Sequence, residues 1–103
     1  MIVAPDAEAD LRIAYEYIRD RNPHAAKEWI RALRSSMRKL SRFPERCPLA
    51  AESALSGMPI RQMLFGSGNR GTYRILFAIS GNAVKVAHVR YGSMLPLGVE
   101  QDE

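Results

Sequence analysis

Residues 72–92 read TYRILFAISGNAVKVAHVRYG. Two runs rich in β-branched and aromatic residues flank Ser80-Gly81-Asn82, the punctuation of a tight β-hairpin. A two-residue turn at Gly81-Asn82 pairs Ser80 with Ala83 and Ile79 with Val84. Ile75, Phe77, Ile79, Val84 and Val86 then share one bulky apolar face. The other face holds Arg74, Ala78, Lys85, Ala87, Val89 and Tyr91, a small, basic and aromatic set. A three-residue turn would slip the register by one and set Arg74 beside His88 and Arg90. The first register is preferred because it gathers the large apolar side chains for packing against helices.

Upstream of the hairpin the apolar period changes from two to 3.6. Ala7, Leu11, Ala14 and Ile18 recur on one helical face after Pro5-Asp6, with Glu8 and Asp10 near the start and Arg19 and Arg21 near the end. These charges suit the helix dipole. Asn22-Pro23 reads as a break followed by a capped fresh start. Ala26, Ile30, Leu33, Met37 and Leu40, with Trp29 beside them, mark a second helix expected to run to about Phe43 and stop at Pro44. Its opposite face carries Lys27, Arg31, Arg34, Arg38 and Lys39. So short a connection predicts an antiparallel helical hairpin.

Residues 44–58 read as a loop with one helical turn around Ala50–Ala54. Ile60–Phe65 adds a strand before the hairpin, and Ile2–Ala4 is a further short strand candidate. The expected fold is α+β: an N-terminal helical hairpin packed on one face of a small twisted antiparallel sheet. A single domain over residues 1–94 and a loose acidic tail over 95–103 are expected.

The chain has 103 residues and a net charge of +4. Between residues 47 and 99 five cations, Arg61, Arg70, Arg74, Lys85 and Arg90, face Glu52 alone. Such a surface attracts polyanions. No apolar run approaches the ~20 residues of a membrane span, and the opening MIVAPDAEAD has neither the basic nor the apolar region of a secretory leader. One cysteine, Cys47, forms no internal disulfide, so a reducing cytoplasmic setting is expected. Two histidines 64 positions apart offer no metal-ligand spacing, and the glycines of residues 66–71 lack the Lys-Ser/Thr of a phosphate-binding loop. Neither metal nor cofactor is expected.

The helix–NP–helix order, then FPERCP, IRQMLFG and GTYRILFAISGNAVKVAHVRYGS, resembles the RelE/ParE superfamily of toxins from type II toxin–antitoxin systems. The resemblance spans about residues 2–94. It implies a helical hairpin on a small antiparallel sheet and a growth-inhibiting toxin held silent by a cognate antitoxin. It also implies one of two targets: mRNA on the ribosome, cut without a metal, or DNA gyrase, inhibited without chemistry. A decayed toxin that only binds its antitoxin is a third reading. For the nuclease branch the resemblance nominates Arg74 to hold the scissile phosphate and Tyr91 for acid/base work or base stacking. His88, on the chemistry of its imidazole, is a further proton-transfer candidate. Arg61, Lys85 and Arg90 are the accompanying candidates for phosphate contact.

Overall fold

The computed structural model describes residues 1–66 and 72–92. The turn expected within 67–71 and the tail expected at 95–103 lie outside the described residues.

Strand β1 (Ile2–Val3) leads into α1 (Pro5–Arg21), and α2 (Pro23–Arg38) returns beside it. Pro5 sits in the first turn of α1, where its missing N–H costs nothing. At the other end Arg21 donates to the Tyr17 carbonyl at 3.0 Å and lies 3.7 Å over the Tyr17 ring. Asn22 serves both helices. Its backbone N–H closes α1 onto Ile18 O at 2.8 Å, and its side-chain oxygen accepts from Ala25 N at 3.1 Å to cap α2. Asn22→Ala removes that acceptor and is expected to cost about 1 kcal/mol in a denaturant titration. An unchanged midpoint would show that water caps the helix equally well.

The helices face each other through the predicted stripes. Ala7, Leu11 and Ile18 of α1 and Ala26, Trp29, Leu33 and Met37 of α2 are buried. Arg34, on the face of α2 opposite its apolar stripe, reaches across to Glu8 of α1 through two contacts of 3.1 and 3.3 Å. Helix α2 ends at Arg38, earlier than expected. Lys39–Ser41 and Pro44–Arg46 form separate 3₁₀ turns, and Phe43 between them adopts a left-handed conformation.

β2 (Arg61–Phe65), β3 (Tyr73–Ser80) and β4 (Ala83–Tyr91) form the antiparallel part of a four-stranded sheet ordered β1-β4-β3-β2. The sheet is mixed, not wholly antiparallel, because β1 joins β4 in parallel, with Ile2 opposite Lys85 and Val3 opposite Val86. Phe77, Ile75 and Val86 are fully enclosed beneath the helices with Leu11, Leu33, Met37 and Leu40.

At the hairpin tip the two-residue register is the observed one: Ser80 pairs with Ala83, Ile79 with Val84, and Ala78 with Lys85. Gly81 has φ +59° and Asn82 does not share the positive sign, the pattern of a type II′ turn. Between Leu76 and Phe77 the register shifts, so that Phe77 pairs with Val86 but Leu76 with His88. Ala87 is the extra residue of a β-bulge. Beyond it the faces exchange. Val89 and Tyr91 turn toward the helices, and His88 and Arg90 join Arg74 on the far side. The expectation that Tyr91 shares a face with Arg74 is therefore corrected, since one inserted residue reverses every side chain after it.

The far face is not open along its length. The segment expected to be a loop with one helical turn around Ala50–Ala54 folds back across it, its turn placed slightly later as α3 (Ser53–Ser56) and stopped by Gly57 at φ +73°. Ser53 Oγ accepts from Ile60 N at 3.0 Å and Ser56 Oγ donates to Met58 O at 2.5 Å, tying the segment to its own return. Leu76, facing α3 across a shared hollow, is buried.

Candidate functional site

Arg74 is the second residue of the inner strand β3, and the residue that meets it comes from the overlying segment. Glu52 Oε1 and Oε2 accept from the two terminal guanidinium nitrogens at 2.6 and 3.0 Å, and Gln62 Oε1 of β2 accepts from Nε at 3.0 Å. The Arg74 and Glu52 side chains are 11% and 7% exposed, so this is a desolvated, two-pronged pair. Arg90 stands directly across the ladder from Arg74. Like charges so placed repel, and the Glu52 carboxylate offsets that repulsion.

His88 faces the same side, next to Leu76. Its Nδ1 lies 3.4 Å from Asp10 Oδ2 of α1, and the same carboxylate oxygen accepts from the Val89 backbone N–H at 2.9 Å. Asp10, expected only to favour the helix dipole, ties α1 to β4 where β1 no longer pairs with it. An open hollow of about 290 Å³ lies between α3 and the sheet, walled by Leu55, Ile60, Leu76 and Ala87 with Glu52 and His88. It is mostly apolar, so it offers a phosphate little.

Tyr91 takes no part in this face. Its ring meets Tyr73 edge-on at 5.2 Å, and Tyr73 lies 5.1 Å from Trp29, which also meets Phe65 edge-on at 6.5 Å. The four rings form an aromatic cluster under α2. Burial, and then the neighbouring Tyr91 and Tyr17 phenols, push the Tyr73 phenol above its usual pKa of 10.0. Below that value both folded and unfolded chains keep the proton. Above it the unfolded chain releases its proton first, so the folded state holds more protons and stability falls as pH rises. Tyr73→Phe is expected to lessen this alkaline loss, read from melting temperatures on both sides of that value; identical curves would remove Tyr73 as its cause.

Arg61 is also engaged elsewhere. Its Nη1 donates to Cys47 O at 2.6 Å and to Glu45 O at 3.2 Å, clamping the chain that leads into the α3 segment. Lys85 is exposed on the far side of β4. The fold thus gathers Arg74, His88, Arg90 and Lys85 on one face and sends Tyr91 and Arg61 away. Glu52 is the residue that sequence reasoning missed. The available signal was its isolation, as the one acid in residues 47–99 against five cations.

These features have a family frame. The model of the ParE toxin of type II toxin-antitoxin system, parDE, matches residues 1–96. The chain belongs to that family: it is a RelE/ParE-type toxin of a type II toxin–antitoxin system, and the family implies a cognate antitoxin as partner. No curated protein matches it significantly. Among the described residues no helix is long and apolar enough to cross a membrane.

Proposed function

We propose that this toxin arrests growth by binding DNA gyrase and blocking its cycle, without cleaving a nucleic acid. The observation that carries this reading is the state of Arg74. Both terminal nitrogens are bound to the two oxygens of one carboxylate, and Nε is bound to an amide. A phosphate would have to displace Glu52 from a buried pair before gaining anything. Tyr91, the other residue nominated for chemistry, has its ring against Tyr73, and His88 is directed at Asp10. Arg74 and His88 share a face but each is turned to a carboxylate, and Tyr91 lies on the opposite face, an arrangement that argues against a common point where a 2′-hydroxyl and a phosphate would meet. The description of the matched family as a parDE toxin supports the same branch.

The test joins two readouts. Purified toxin is titrated into a gyrase supercoiling reaction on relaxed plasmid, and RNA 3′ ends are mapped after induction in cells. Loss of supercoiling with an unchanged RNA end map is the expected result. Undisturbed supercoiling at saturating toxin, or new RNA ends, would overturn the proposal. Harmless induction of the chain without its partner would leave only an antitoxin-binding module.

A further inference from the structure

Phe43 combines two features that a merely structural residue does not need. Its backbone is left-handed, at φ +51° and ψ +52°, although it precedes Pro44. Among the described residues it is the one non-glycine position with positive φ. Residues before proline favour extended backbone, and a bulky side chain avoids the left-handed region. The ring nevertheless gains no burial from this geometry, being 76% exposed. Strained backbone of this kind clusters at active sites, ligand clamps and switch regions.

The surroundings indicate which contact. Residues 38–46 read RKLSRFPER, four cations to one acid. Arg38, Lys39, Arg42 and Arg46 are all exposed, and among the described residues none of the four forms an ion pair. The adjacent apolar residues Leu40 and Cys47 are buried. The ring therefore projects from a cationic collar. Protein-binding anchors, though often aromatic or arginine, sit in broader packed patches from which lysine and acids are depleted, unlike the surroundings of Phe43 with Lys39 and Glu45. A lone aromatic face flanked by cations matches a base stacked between phosphates.

We infer that Phe43, with Arg38, Lys39, Arg42 and Arg46, forms a contact point for a nucleic-acid strand with an accessible base face. The ring stacks on the base, and the cations take the phosphates on either side. This site lies outside the Arg74 face and does not depend on the gyrase reading.

The experiment measures binding of the full-length chain to labelled single strands of about 12 nucleotides, as DNA and as RNA, and to a duplex. Salt is varied between about 50 and 200 mM. The expected log–log slope is about −3 for four phosphate contacts on a single strand, lowered by about 1.4 in the Arg42→Gln/Arg46→Gln variant. Phe43→Ala weakens strand binding roughly tenfold. Phe43→Gly does the same while relieving the backbone strain, so the loss is not one of folding. Preference for either strand over duplex, with the ring contributing, upholds the inference and identifies the strand chemistry. Absent binding at low salt overturns it, as does duplex binding equal to strand binding and indifferent to Phe43. Growth arrest lost in Phe43→Gly with strand affinity intact would assign the ring to a protein instead, and would equally overturn it.

Discussion

Arg74→Ala unfolds at a much lower denaturant concentration than the native chain, by about 3–5 kcal/mol, because it leaves the Glu52 carboxylate buried without its guanidinium. Glu52 has a side-chain exposure of only 7%, so water cannot replace the lost partner in place. Gln62 Oε1 loses its Nε donor as well. In a domain this size each kcal/mol moves the melting temperature by about 4–8 °C, so a drop on the order of 20 °C is expected. Total stability of such domains is about 5–15 kcal/mol, and the variant therefore sits near its folding limit.

The same physics gives the control. Replacing both members with apolar residues of similar size, Arg74→Met with Glu52→Leu, removes both buried charges at once. That exchange is commonly neutral or stabilising, and the double variant is expected to recover most of the loss. It also separates roles. A stable double variant that still blocks supercoiling makes Arg74 a structural residue of the α3 closure. Retained folding with lost toxicity would return Arg74 to the functional surface. An Arg74→Ala variant as stable as the native chain would show that the clamp contributes little.

Phe77→Ala is expected to cost a comparable 3–5 kcal/mol or so, by a different route. Phe77 is 0% exposed and sits where the bulge shifts the register, opposite Arg61 on one side and Val86 on the other. Truncation leaves a cavity against Leu11, Leu33 and Met37, which cannot close it without moving packed helices. No partner substitution rescues it, in contrast to the Arg74 pair. The sole tryptophan, Trp29, lies in the same buried cluster, so its fluorescence follows both unfolding transitions. A loss below about 1 kcal/mol would mean that the helices settle into the gap.

The two variants mark the boundary between what was readable in advance and what was not. Helices α1 and α2, the Asn22 junction and the hairpin tip follow from local chemistry. Apolar spacing, a side-chain cap, and a glycine at a positive φ each act within a few residues. The core face of β3 and the tip of β4 were legible for the same reason.

The candidate site was not legible in this way. Its residues were visible, but their neighbours depend on contacts between distant elements. A single inserted residue at Ala87 exchanges the faces of His88, Arg90 and Tyr91, and no local signal separates a bulge from a continuous strand. Glu52 reaches Arg74 across 22 positions because α3 folds over the sheet, a closure made by packing and charge pairing rather than by helical propensity. The parallel addition of β1 to β4 joins the two ends of the fold in the same way. By itself, then, the sequence determined the helical hairpin, the β-hairpin and the composition of the core, since these rest on short-range backbone preferences and periodic burial. Only the tertiary structure decided that Arg74 is covered and neutralised, because desolvation and register are properties of elements already assembled.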